Sequence, residues 1–155
     1  MIALIVLAAL VLSCATAGGS GGGQGGQTVL TLQSKDAKLT TQDQLVYNAD
    51  ADCIAWWEKT TDEASWTLDV KEAGGYAVVA SIACDPQFPG STVGVTLNNK
   101  TLTFKVKDTG TWTTFVPVDV GTITLQPGSY PVVVKAIEVP GRFVANLRTL
   151  KFIKQ

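Results

Sequence analysis

Short runs in which apolar residues alternate with polar ones, divided by turn-forming residues, dominate the sequence after residue 28. The alternation is clear in residues 66–70, 93–97 and 102–106, where polar residues or glycine separate most of the apolar positions. A repeat of two is typical of a half-buried β-strand, and no stretch of ten or more residues carries the 3.6-residue repeat of an amphipathic helix. The pattern therefore predicts an all-β domain.

The order of these runs predicts how the strands connect. Asn98-Asn99-Lys100 lies between two alternating runs and, because asparagine tolerates positive φ, predicts a hairpin from Val93 to Val106. The more continuously apolar segment 76–83 is expected at the centre of a sheet. Gly121 is expected to separate a strand at 116–120 from another at 123–125. About nine or ten strands in about 125 residues favour an antiparallel two-sheet β-sandwich, or jelly roll.

The first 27 residues contain no material for a core. Met1 to Leu12 is an apolar run of about twelve residues, too short to cross a hydrocarbon layer of roughly 30 Å as a helix. It ends in Val11-Leu12-Ser13-Cys14, which resembles the bacterial lipobox, where the cysteine becomes the acylated N-terminus. Residues 15–27 hold seven of the 15 glycines, a composition typical of a flexible tether.

This leader predicts three segments: a signal peptide with a lipobox-like Cys14 at 1–14, a glycine-rich tether at 15–27, and a β-sandwich at 28–155. The protein is expected to be exported and held at the cell envelope. Its contact with the membrane would be the lipid anchor alone. If Cys14 is not acylated, the expectation becomes a secreted protein.

Composition excludes several function classes. The chain has 155 residues and no histidine, which removes Ser/His/Asp and Cys/His catalysis and zinc sites built on imidazole. Its 12 basic and 13 acidic residues give a net charge of −1, and none of them precedes Lys35. Without a polybasic arm, no nucleic-acid partner is expected.

Carboxylates between positions 50 and 63 invite an enzymatic interpretation, because a pair of them can cleave a glycosidic bond. Nothing in the sequence fixes their separation, and the turn that contains Asp62 and Glu63 is expected to be a solvated loop. We therefore predict no catalytic residues and no enzymatic activity. A metal site near Asp50, Asp52 and Glu58 stays open, although the spacing lacks the glycine and ligand order of a known calcium loop.

The chain contains three cysteines. With Cys14 assigned to the anchor, Cys53 and Cys84 remain, and an even remainder in an exported protein favours a disulfide. Two buried free thiols are the alternative.

A longer pattern runs through residues 28–155. Its segments are 54–57 (Ile-Ala-Trp-Trp), Gly75-Tyr76, Gly90-Ser91, 109–112 (Thr-Gly-Thr-Trp), 127–130 (Pro-Gly-Ser-Tyr) and 146–148 (Asn-Leu-Arg). This pattern resembles the galactose-binding-like β-sandwich modules, within them carbohydrate-binding module families 6 and 35, and more closely the non-catalytic modules attached to some bacterial fucosidases and sulfatases. The resemblance implies a jelly roll that binds an oligo- or polysaccharide without catalysis or a cofactor.

The resemblance also implies site residues. The aromatic after the Thr-Gly pair, here Trp112, corresponds to a ring on which sugars stack, and Asn146 is the nearest match to an asparagine that hydrogen-bonds sugar hydroxyls. Arg142 lies beside the same implied cleft. Neighbours on an extended segment point to opposite faces, so one of Trp56 and Trp57 is expected in the core and the other at the surface. The resemblance implies that Trp57 is the core residue and that Trp56 is the surface residue, a further candidate sugar contact.

The related modules usually hold a structural calcium through a glutamate early in the first strand and an aspartate in the last. Here Ser34-Lys35 and Asn146 stand at those places. A lysine repels the metal, so no metal site is expected there.

Together these features predict a non-catalytic carbohydrate-binding module of an envelope-anchored lipoprotein, with weak binding of a neutral sugar by aromatic stacking and polar contacts. The alternative is a structural or protein-interaction β-sandwich lipoprotein without affinity for sugars. The sequence does not indicate which sugar would be bound, on which side of the envelope the domain lies, or its oligomeric state.

Overall fold

A computed structural model describes residues 26–155, which form eleven β-strands and one 3₁₀ turn, η1 (Ser34–Asp36). The predicted signal peptide, Cys14 and residues 15–25 of the predicted tether lie outside the described residues. Within the described part, no helix has the length and apolar character needed to cross a membrane. The strands are β1 (Val29–Gln33), β2 (Lys38–Thr40), β3 (Val46–Asn48), β4 (Cys53–Ala55), β5 (Glu63–Val70), β6 (Gly74–Ala83), β7 (Thr92–Leu97), β8 (Lys100–Lys105), β9 (Val116–Leu125), β10 (Gly128–Glu138) and β11 (Asn146–Lys154).

The strands form two antiparallel sheets, so the predicted fold class is confirmed. One sheet has the order β3-β4-β11-β6-β9, with β1 also paired to β11, and the other has the order β2-β5-β10-β7-β8. Segment 76–83 of β6 lies between β11 and β9, which is the central position predicted for it. Strand β11 is paired along one edge first with β4 and then with β1.

The core lies between the sheets and follows the alternation of the sequence. In β5 the buried positions are Ala64, Trp66, Leu68 and Val70, and the residues between them are exposed or half-buried. Each fully buried aliphatic or aromatic side chain contributes about 1.5 to 3 kcal/mol to folding. The largest fully buried side chains include Tyr76, Phe152, Leu45, Ile54, Ile82 and Leu97.

The predicted hairpin is confirmed. β7 and β8 pair from Thr92↔Lys105 to Leu97↔Lys100. The two residues between them, Asn98 and Asn99, have φ of 48° and 58°. Positive φ at both central positions is the geometry that matches the right-handed twist of paired strands.

The predicted break at Gly121 is wrong, because β9 continues through it. The pairing of β9 with β6 shifts register between Val79↔Asp119 and Val78↔Gly121, which is a bulge. Gly121 has φ of +132°, and the Asp119 carboxylate accepts a hydrogen bond from its backbone N–H at 3.0 Å. The glycine therefore bends one strand instead of dividing two.

The expectation that Asp62 and Glu63 form a solvated loop is also wrong. Glu63 begins β5, and the side chain of Asp62 is fully buried. The Thr41 hydroxyl, just after β2, donates to Asp62 Oδ1 at 2.7 Å. A contact with a segment 21 residues away thus buries a carboxylate in a stretch with the composition of a turn.

The predicted disulfide between Cys53 and Cys84 is wrong, since both are buried free thiols. Leu147 of β11 pairs with Ile54 on one side and with Ile82 on the other. The two cysteines therefore lie on opposite sides of β11, separated by two strand spacings, which alone amount to roughly 9 to 10 Å. A disulfide needs Cα atoms within about 7 Å.

Candidate functional site

Four segments meet at one end of the sandwich: the end of β3 with the β3–β4 loop, the segment after β4, the β8–β9 loop and the β10–β11 loop. They form a cleft of about 420 Å³. None of the residues that line it is ionisable. They are Asn48, Ala51, Ala55, Trp56, Trp112, Thr113, Phe143 and Asn146.

Trp56 stands where β4 ends. The residue is 52% exposed, although Ala55 and Trp57 on either side are buried, as the resemblance implied for the two tryptophans. The backbone of Trp56 has φ of +58°, a left-handed conformation that is rare for a bulky residue. Trp57 fixes this strand end, because its carbonyl accepts the Val144 N–H at 2.8 Å.

Trp112 lies in the β8–β9 loop, which hydrogen bonds attach to the rest of the domain. The Cys84 N–H donates to the Thr109 hydroxyl, and the Thr109 N–H donates to the Cys84 carbonyl, both at 2.9 Å. Nearer the cleft, Asn146 Nδ2 donates to the Trp112 carbonyl at 2.8 Å. This bond fixes the backbone at Trp112 and the orientation of the Asn146 amide together.

Phe143 joins the two tryptophan rings into one apolar wall. Its centroid lies 6.1 Å from that of Trp56 and 5.6 Å from that of Trp112, in both cases edge to face. Phe88, from the β6–β7 loop, stacks on Trp112 at 5.7 Å and meets Phe143 edge to face at 5.2 Å. Contacts of this geometry stabilise by about 0.5 to 1.5 kcal/mol each beyond area burial, so the rings hold one another in place.

Arg142 lies at the rim of the cleft and not in its lining. Its guanidinium carbon is 4.9 Å from the centroid of Phe143, a cation–π distance. Arg142 Nε lies 3.4 Å from Glu58 Oε1. The Arg142 side chain is 67% exposed and that of Glu58 only 17%.

The structure brings the predicted site residues to one place. Trp56, Trp112 and Asn146 line the same cleft, and Arg142 lies at its edge. Sequence reasoning missed Phe88, which stacks on Trp112; an isolated aromatic between Gln87 and Pro89 was the available signal. Asn48 and Thr113, which also line the cleft, were missed because nothing in their local sequence distinguishes them from loop residues.

The carboxylates near the cleft have partners within the protein. The Tyr47 hydroxyl donates to Asp52 Oδ1 at 2.8 Å, and this hydrogen bond to a carboxylate is the main reason that the pKa of Tyr47 is raised above its usual value. Glu58 faces Arg142. Within residues 26–155, no three Asp, Glu, Cys or His side chains are grouped so as to hold a metal ion.

At the place where the resemblance implied a calcium site, the residues make other contacts. Ser34 Oγ is buried and lies 2.6 Å from the Arg148 carbonyl, to which it donates a hydrogen bond, with the Leu147 carbonyl also in reach. Asn146 turns its amide to Trp112. A donor set with a hydroxyl and two carbonyls but no carboxylate does not fit a calcium ion.

Comparison with solved structures reveals the same fold in other proteins. A carbohydrate-binding module (CBM6) from Cellvibrio mixtus lichenase 5A, solved in complex with cellotriose, matches with a TM-score of 0.63 and 18% identity over 81% of this chain and 97% of the module. A family 35 carbohydrate-binding module from Clostridium thermocellum matches with a TM-score of 0.62 and 17% identity over 83% of this chain and 99% of the module.

The sandwich also occurs outside such modules. Part of the insecticidal crystal protein Cry2Aa matches with a TM-score of 0.66 and 15% identity, over 82% of this chain and 21% of that one. No protein-family model and no curated protein sequence matches the chain. The likeness therefore shows the β-sandwich that the sequence predicted, and the argument for a function depends on the cleft.

Proposed function

We propose that this protein binds a carbohydrate without altering it chemically, through the cleft at the end of the sandwich. The observation that carries the proposal is the wall formed by Trp56, Phe143 and Trp112. Flat aromatic surface suits the C–H face of a pyranose ring. The amides of Asn48 and Asn146 and the hydroxyl of Thr113 supply donors and acceptors for sugar hydroxyls along the same cleft.

The geometry supports weak binding. One face of Trp112 is already covered by Phe88, so that ring has a single face left for a sugar. One or two stacking contacts set against the entropy cost of binding give a Kd in the high micromolar to millimolar range, as an order of magnitude. The module from Cellvibrio mixtus was itself solved with a cello-oligosaccharide, which supports neutral glycans as the first class to test.

A glycan array followed by isothermal titration of the full-length protein tests the proposal. We expect retention of at least one neutral polysaccharide and its loss in Trp56→Ala and Trp112→Ala. Tyr130→Ala is the matched control, because it removes an aromatic ring at the opposite end of β10. Equal retention by all variants would contradict the cleft as the site, and no retention of any glycan would favour the structural or protein-interaction sandwich.

We further propose that the protein is a lipoprotein of the cell envelope, anchored through Cys14 and separated from the membrane by the glycine-rich segment 15–27. A tether would let the cleft reach glycans around the anchor. Metabolic labelling with a palmitate analogue should label the wild-type protein and should not label the Cys14→Ala variant. A protein that carries no label and is found in the medium would instead be secreted.

A further inference from the structure

Arg142 and Glu58 form a charge pair at the rim of the cleft that the sugar-binding role alone does not require. The guanidinium covers Phe143, one of the rings of the wall. The opposite charge is the carboxylate of Glu58, which follows Trp56 and Trp57 in the β4–β5 loop. The pair thus joins the loop that carries Trp56 to the loop that carries Phe143.

The geometry of the pair is poor for stability. Glu58 Oε1 is shielded from solvent, yet it receives no hydrogen bond, because Arg142 Nε approaches at 3.4 Å without hydrogen-bond alignment. A shielded carboxylate loses hydration, and one imperfect contact with an exposed arginine recovers little of it. An apolar side chain at position 58 would avoid this loss, so stability alone does not account for the charge of Glu58.

The charge balance of the cleft suggests an explanation. The lining contains only aromatic, amide, hydroxyl and methyl groups, and Arg142 is the cation that contacts Phe143. Arg148 also lies near the lining, but its Nη2 donates to the Ala51 carbonyl at 2.9 Å and its guanidinium covers Phe115. A free guanidinium beside Phe143 would bind a sugar carboxylate with charge-assisted hydrogen bonds. Glu58 supplies a carboxylate from within the chain and neutralises it.

We propose that Glu58 is a positioning residue that sets the ligand class of the cleft: by occupying Arg142, it makes the cleft select uncharged glycans over those that contain uronic acids. The inference rests on the proposed sugar-binding function. Glu58 acts through Arg142 and does not touch the ligand.

The test compares two ligands that differ in one group: a neutral oligosaccharide that the protein retains, and the same oligosaccharide oxidised at C6 to the uronate. We expect the full-length protein to prefer the neutral ligand. Glu58→Gln should raise affinity for the uronate about tenfold, which corresponds to one charge-assisted hydrogen bond, and leave affinity for the neutral ligand within about twofold. The double variant Glu58→Gln/Arg142→Gln should lose the gain.

Glu63→Gln, on β5 and outside the cleft, is the matched control for removal of one carboxylate. If Glu58→Gln does not fold, Glu58→Asp keeps the charge but withdraws it by one methylene, and a smaller gain for the uronate is expected. An unchanged ratio of the two affinities in a folded variant would overturn the inference while the proposed function stands. Binding of neither ligand by the wild-type protein would overturn both.

Discussion

At the scale of single residues, Trp56 combines an exposed ring with a backbone conformation that a bulky residue avoids. A left-handed conformation costs roughly 1 to 2 kcal/mol for a residue with a Cβ. Strain of this kind persists where the surrounding structure fixes it and is concentrated at binding sites. The bond from Val144 to Trp57 and the contact with Phe143 fix it here.

Two substitutions at this position separate strain from binding. Trp56→Gly removes both the ring and the strain, and Trp56→Ala removes the ring only, so the glycine variant should be more stable to urea by about 1 kcal/mol. Neither variant should retain a glycan. Asn99→Gly, with φ of 58° in the β7–β8 turn, is the control that should keep full binding. An alanine variant as stable as the glycine variant would mean that the backbone at 56 relaxes.

The two buried cysteines provide a second test at this scale. Burial raises the pKa of the Cys84 thiol to about 11, and burial likewise raises that of Cys53. The native protein should therefore react slowly with a thiol reagent at pH 8, and both thiols should react after denaturation. The folded state holds the Cys84 proton more tightly than the unfolded state, so stability should fall as pH rises from about 9 to about 11. A disulfide-linked peptide in the mass spectrum would contradict this.

At the scale of elements, the sequence predicted those strands and turns that a local pattern of residues encodes. β5, β6 and β10 have buried positions two residues apart, and the Asn98-Asn99 turn determines its own hairpin. β2 and β4 have only three residues each and exist because a neighbouring strand pairs with them, which no local pattern reveals. For the same reason the burial of Asp62 by Thr41 was missed.

The candidate site likewise contains residues that the sequence identified and residues that it did not. Trp56 and Trp112 were identifiable because they fall outside regular alternation and match a family pattern. Phe88 was not, since its stacking on Trp112 joins loops 24 positions apart in the sequence. The pairing of Arg142 with Glu58 crosses most of the chain and follows only from the fold.

Ser34 is the residue whose loss should disturb the connection between elements most clearly. It lies in η1, beside the point at which the partner of β11 changes from β1 to β4, and its hydroxyl donates to the Arg148 carbonyl. Ser34→Ala should lower the free energy of unfolding by about 1 to 3 kcal/mol, because a buried acceptor loses its donor. Ser65→Ala, whose hydroxyl bond to Lys38 is exposed, should cost less. Equal losses of unfolding free energy in the two variants, measured by urea titration, would contradict the role assigned to the Ser34 hydroxyl.

At the scale of the whole molecule, contacts between the chain's own groups hold the terminal strands to the sandwich at the place where the resemblance implied a calcium site. The hydroxyl of Ser34 meets the carbonyls of β11 directly. An ion pair at the other end of the domain also attaches a terminal strand, because Lys154 of β11 pairs with Glu72. The Thr28 hydroxyl donates a hydrogen bond to the same carboxylate. Each of these contacts joins a terminal strand to the body of the sandwich through groups of the protein itself.

We therefore expect the melting temperature of the protein to be insensitive to calcium. An ion that binds only the folded state stabilises it by RT ln(1 + [L]/Kd), which is about 2.7 kcal/mol at a hundredfold excess over Kd and a shift of several degrees in a domain of this size. Calorimetry in millimolar calcium and in excess chelator should give melting temperatures within about one degree. A fall of several degrees on chelation would reveal a calcium site. Asp50→Asn and Asp52→Asn would then show whether the β3–β4 loop holds the ion. If it does, those variants would melt at the same temperature with and without chelator.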